Sequence, residues 1–209
     1  MAAASSESRA PLVVDVVSDI VCPWCFIGKR KLERALADLA RAEPALDVNV
    51  RWHPFQLNPE LPAAGIPRAV YLAQKFGGAA RASEIYARVT SAGDAVGIAF
   101  RFDRIEIQPN TFDGHRLVAW AQQQGDAGDL VERLFNAYFL EGRHIGDTDA
   151  LARLAAECGW AEQGAHAMLA SDALREAVAA ESREAADVGL PGGPGLTSHA
   201  THAASGGAG

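Results

Sequence analysis

Leu12-Val13-Val14-Asp15-Val16-Val17 is a short apolar run, and a helical pattern begins at Phe26; between them stands Cys22-Pro23-Trp24-Cys25. The run is rich in β-branched residues and reads as a mostly buried strand. From there Phe26, Ile27, Leu32, Leu36 and Leu39 recur at helical spacing, with Lys29, Arg30, Lys31, Arg34 and Asp38 between them. The cysteine pair therefore falls on a strand-to-helix turn. Cys22 lies near the N-cap and Pro23 at the first helical position, where its missing N–H would have been unpaired anyway. Two thiols in one first turn can close a small disulfide ring. The free N–H groups of that turn and the positive end of the helix dipole stabilise a thiolate. Such thiols titrate at roughly 3.5–7.5 instead of about 8.5. Leu46 to Trp52 then alternates apolar and polar residues, so strand, helix and strand make a βαβ unit, the opening of an α/β fold.

With 209 residues, 49% hydrophobic and 22% charged, the chain can bury a substantial core and has an ordinary globular composition. A net charge of -7 argues against nucleic-acid binding, and the cluster Lys29-Arg30-Lys31 reads as the solvated face of the first helix. No run of about 18 apolar residues is present, so no membrane span is expected. The first ten residues show neither a basic nor an apolar signal-peptide segment, which makes a cytoplasmic location the expectation. Three cysteines, two of them paired closely, fit a reducing compartment with one redox-active pair rather than a disulfide scaffold. For that pair the residues alone leave three readings: redox exchange, a structural disulfide, or half of a zinc site that would need more ligands than Cys158 supplies.

After His53-Pro54-Phe55-Gln56-Leu57-Asn58-Pro59 the character turns helical. Val70 to Phe76, Ala82 to Ala92, Thr111 to Gln124, Leu130 to Leu140, Asp147 to Cys158, Ala165 to Ala170 and Asp172 to Val188 carry helical patterns, with an irregular connection from Ile98 to Ile107. The tail from Gly189 to Gly209 has no charged residue and only Leu190 and Leu196 as large apolar side chains. It reads as neither strand nor helix, and its composition predicts disorder.

The strand, Asp19, Cys22-Pro23-Trp24-Cys25, Gly28 and Leu32 together resemble the DsbA-like thioredoxin-fold oxidoreductases of the cytoplasmic FrnE type. The resemblance continues through Trp52 to Pro59, through Asn110-Thr111-Phe112-Asp113-Gly114-His115-Arg116-Leu117, and through Ala137-Tyr138-Phe139 and Gly142 to Asp147. It implies an α/β thioredoxin fold with a large all-helical insertion: a thioredoxin-like βαβ unit at 11–57, the helical insertion at 58–188, and a Gly-rich tail at 189–209 where the closing strands belong. The family's ending is a loop with a cis-proline, two apolar strands and a helix. Pro194 stands at the cis-proline position, but nothing apolar follows, so the closing strands read as missing or replaced. A truncated product, a shifted reading frame and a natural variant all fit, and each leaves the sheet with a bare edge.

The resemblance further implies thiol-disulfide exchange, with disulfide-isomerase activity. Cys22 is then the attacking thiolate and Cys25 the resolving thiol; Pro23, Trp24 and Pro194 support the site. His53, Asn110 and His115 are candidates for the substrate groove. Their plainer roles are a structural hydrogen bond for His53 and a helix cap for Asn110. Cys158 reads as a small buried apolar residue and His144 as surface. The expected partners are thiol- or disulfide-containing proteins or small molecules, and a homodimer is compatible with the chain; nucleic acid and membrane are not expected. No cofactor beyond the Cys22–Cys25 disulfide and no metal is called for. Two alternatives remain. One is a glutathione-dependent transferase or isomerase, since the related hydroxychromene-carboxylate isomerase and kappa-class glutathione transferase branch shares the motif around Asn110 to Leu117 but has serine where Cys22 stands. The other is a redox-sensitive binding or chaperone module.

Overall fold

The computed structural model describes residues 11–187 and, as backbone, 195–200. Strand β1 (Leu12–Ser18) leads into α1 (Pro23–Ala42) and then β2 (Val48–Pro54). The two strands pair in parallel, with Val14 opposite Val50 and Val16 opposite Trp52. A small antiparallel pair, β3 (Ile66–Pro67) and β4 (Ile107–Gln108), ties together the ends of the segment that holds α2 (Arg68–Phe76), α3 (Ala79–Asp94) and a short 3-10 turn at Phe102–Arg104. Helices α4 (Phe112–Gln122), α5 (Gly128–Phe139), α6 (Thr148–Glu157), α7 (Glu162–Ala170) and α8 (Arg175–Asp187) follow. The chain is thus an α/β thioredoxin-like fold with a helical insertion.

The tail departs from expectation. Gly195–Ala200 forms β5, antiparallel to β1 with Asp15 opposite Thr197, so the sheet order is β2-β1-β5 and β1 is central rather than a bare edge. The reason is that ladder hydrogen bonds use backbone groups, which every residue except proline supplies in full. A segment poor in apolar side chains can therefore still close the edge of a strand. Pro194 lies outside the described residues.

The two faces of the sheet do different work. Val14 and Val16 join the main apolar core. Phe26, in the first turns of α1 and fully buried, stacks on Phe135 of α5 with centroids 4.9 Å apart, and Arg30 lies over its other side at 5.2 Å. Helix α1 is thereby fastened to the insertion. Lys29 is not part of a solvated face: it is buried and paired with Glu33 and, at 2.9 Å, with Glu132 of α5, a partner shared with Arg30. On the opposite face His53 bridges Asp15 of β1 and Glu181 of α8.

Two residues of the insertion explain how it stays in register. Helix α3 runs through Gly93, where only glycine fits, because a Cβ there would come within 2.5 Å of the Phe100 ring. Arg116 is fully buried in α4 and donates to the carbonyls of Met168, Leu169, Ser171 and Ala173 and to Asp113. It thereby satisfies the carbonyl groups that the end of α7 leaves without intrahelical partners. Leu174, at φ 62, makes the sharp entry into α8 that this arrangement imposes.

Candidate active site

Cys22 is the N-cap of α1, with φ -93 and ψ 113, and Pro23 opens the helix. The amides of Cys25 and Phe26 donate to the Cys22 carbonyl at 3.0 and 3.2 Å, while the Cys22 amide donates to the Asp19 carbonyl at 2.9 Å. The turn is therefore held at both ends. Cys22 and Cys25 are buried and unbonded, with their thiols in hydrogen-bond contact, and Trp24 between them is 43% exposed.

The pair is electrostatically split. The hydrogen bond from Cys25 lowers the titration of Cys22, and the N–H groups of Cys25 and Trp24 add to this against burial and the nearby Asp19 carboxylate. The same hydrogen bond drives Cys25 well above the ordinary thiol range. Burial and the Cys22 charge push it further, against the Asp19 backbone and the Ser18 hydroxyl. One thiol is prepared as a thiolate and the other holds its proton, as two coupled groups in one helical turn must.

Beneath the turn lies Asp19, which the sequence reading quoted only as part of a motif. Its carboxylate accepts from the amides of Leu57 at 2.8 Å and Val21 at 3.4 Å, and His115 Nε2 is 3.4 Å away. Asp19 and His115 are both buried, at 1% and 5% exposure. The helix carrying His115 reaches this depth because Gly114 leaves room for Ile20; a Cβ there would sit 2.4 Å from Ile20 Cδ1. His115 is thus placed under the dithiol turn rather than on an open groove.

His53 lies on the α8 face. Its Nε2 is 2.7 Å from Asp15, and its Nδ1 contacts Glu181. The Glu181 hydrogen bond raises its titration, with Asp15 adding to this against burial. His53 opens onto a groove of about 660 Å³ along the outer edge of β2, where Gln122 accepts from the Trp52 amide at 2.6 Å and donates to its carbonyl at 2.9 Å. Asn110 is elsewhere. Its Oδ1 accepts from the Phe112 amide and Gln56, and its Nδ2 donates to the Leu61 carbonyl, which fixes the start of α4 against the loop after β2. Cys158, half-buried at the end of α6, contacts the Asp129 carbonyl at 3.6 Å, and burial raises its titration. Among the described residues no group of three or more His, Cys, Asp or Glu side chains could hold a metal, and no helix is long and apolar enough to cross a membrane.

The profile of the DSBA-like thioredoxin domain matches residues 13–207, nearly the whole chain and through the tail strand. The chain belongs to the DSBA-like thioredoxin domain family. It is 30% identical to a probable DsbA oxidoreductase of Streptomyces coelicolor, whose crystal structure superposes with a TM-score of 0.75 over 90% of this chain and 83% of that one. A curated relative, the uncharacterized protein YwbO of Bacillus subtilis, is 29% identical over 153 residues, 70% of this chain and 66% of that protein's length. The cytosolic disulfide reductase DsbM of Pseudomonas aeruginosa, solved with GSH, shares the fold at 18% identity and a TM-score of 0.54, covering 91% of this chain and 89% of that one.

Proposed function

We propose that the protein is a thiol-disulfide oxidoreductase and isomerase that works through Cys22 and Cys25. The observation that carries this reading is a pair of buried, unbonded thiols in contact at a helix N-terminus. Cys22 is lowered by its neighbour's hydrogen bond and by backbone N–H groups, and Cys25 is raised by the same contact. A thiolate at Cys22 attacks a substrate disulfide, forming a mixed disulfide and releasing one substrate thiolate. Cys25, once deprotonated, attacks Cys22 Sγ, closes the Cys22–Cys25 disulfide and releases the second. The substrate is reduced and the protein oxidised, and the reverse sequence oxidises a substrate dithiol.

Pro23 and Trp24 support the pair, and the exposed Trp24 ring offers an apolar contact beside it. Substrates are thiol- or disulfide-containing proteins or small molecules; the GSH held by the DsbM structure makes glutathione the first small thiol to assay. The reaction needs no cofactor beyond the cysteine pair. Cys25→Ala should accumulate a mixed disulfide with a model substrate, whereas Cys22→Ala should not. Equal trapping by both variants would overturn the assignment.

A further inference from the structure

Cys25 holds its proton in a buried place, so closing the disulfide requires a route by which that proton leaves. Ser18, at the end of the strand that leads into the dithiol turn, is among the groups that act on the Cys25 thiol. Its hydroxyl oxygen is buried without a hydrogen-bond partner, and the same is true of the indole Nε1 of Trp52. Ser18 and Trp52, at 6% and 8% exposure, both line a small cavity between the ends of β1 and β2 and helix α4, together with Ile20, His53 and His115. That cavity gives about 10 Å³ to the centre of a water molecule, the room one buried water needs, and buried waters settle where two or more orphaned polar groups converge. An indole N–H can only donate, so a water held by it keeps both protons and a lone pair for its other neighbours. His115, on the cavity wall, faces the Asp19 carboxylate through Nε2. A ring that donates Nε2–H to Asp19 keeps the Nδ1 lone pair free to accept a proton.

We propose that Ser18, one water seated on Trp52 Nε1, and the His115–Asp19 pair form the proton relay of the resolving cysteine. This rests on the thiol-exchange reading above and assigns residues to its second step. In that step the Cys25 proton passes to Ser18 Oγ as the Ser18 proton moves to the water and a water proton moves to His115. The Cys25 thiolate attacks Cys22 Sγ, the Cys22–substrate S–S bond breaks, and the substrate sulfur leaves with the electron pair. Run backward, His115 returns the proton to Cys25 when the disulfide opens.

The test separates the two steps in one trace. Reduced protein carrying Cys158→Ser is mixed with dithiobis-nitrobenzoate, whose coloured thiolate is released once when Cys22 attacks and again when Cys25 resolves. In His115→Gln the first release should stay within about twofold of wild type and the second should slow by about 100-fold, the scale of general-base catalysis. Ser18→Ala, a change small enough to fold, should slow the second release similarly, and combining the two should add little, because both break one chain. Imidazole in solution should speed the second release in His115→Ala but not in wild type, a rescue that a merely structural role would not show. An unchanged second release in both single variants, equal slowing of both releases, or additive slowing in the double variant overturns the relay. A wild-type protein with no fast first release overturns the exchange reading, and the relay with it.

Discussion

Arg116 fastens α4 to the junction between α7 and α8. Its guanidinium is fully buried and bonds four carbonyl oxygens and Asp113 at 2.6 to 3.2 Å. In Arg116→Met the stem is kept and the donors are lost. Asp113, Ser171 and Ala173 are accessible enough to rehydrate, and the Met168 carbonyl keeps the Ser171 amide and hydroxyl as donors, but the buried Leu169 carbonyl is orphaned at a cost of about 1–3 kcal/mol. Relief of the buried charge offsets part of this, leaving about 1–2 kcal/mol. At a urea slope of about 2 kcal/mol per molar, the midpoint should fall by about 0.5–1 M. Urea titration followed by far-ultraviolet circular dichroism reads this directly. Because α8 follows the same junction, amide exchange should also quicken over Arg175–Asp187. A midpoint shift below about 0.3 M would refute the reasoning, since it would mean the Leu169 carbonyl finds water or a new partner at no cost.

Gly114→Ala should destabilise by about 1–3 kcal/mol, because the new Cβ forces Ile20 to shift in a packed core; thermal melting tests it. The pairing of His53 has a pH signature: its titration is raised in the fold, chiefly by Glu181, so its stabilisation is complete below the unfolded histidine value and lost as pH rises through the folded one. His53→Gln should therefore lose stability relative to wild type in mildly acidic buffer and converge with it in alkaline buffer, as parallel urea titrations will report. Cys25→Ala removes the largest cause holding Cys22 down, so iodoacetamide should react with Cys22 in that variant more slowly than in wild type at mildly acidic pH.

The parts of the molecule legible in the sequence are those written in local pattern. The run Leu12 to Val17, Pro23 after Cys22, and the apolar spacing from Phe26 specify strand, cap and helix within one window, and the structure has them there. Asp147 likewise announces α6, its carboxylate accepting from the Ala150 amide at 2.7 Å. What escaped was set by distant partners. Lys29 sits in a basic-looking cluster, yet Glu132 of another helix lets it be buried. The depth of His115 depends on Gly114 meeting Ile20 across the fold. Strand β5 escaped for a different reason: its pairing with β1 is made by backbone, and its side chains carry little of the apolar signal by which strands are recognised. Asp19 was visible as part of a motif, but its role depends on amides and an imidazole brought from the loop after β2 and from α4.

Two neighbouring thiols of this protein are divided into a nucleophile and a proton holder. Alkylation of the reduced protein by iodoacetamide across a pH series, with each cysteine read separately by peptide mass spectrometry, tests this division most directly. Cys22 should react at pH values below the ordinary thiol range, well ahead of Cys158, while Cys25 stays unreactive until far higher pH. Reaction of Cys25 before Cys22, or of both together in the ordinary thiol range, would contradict it.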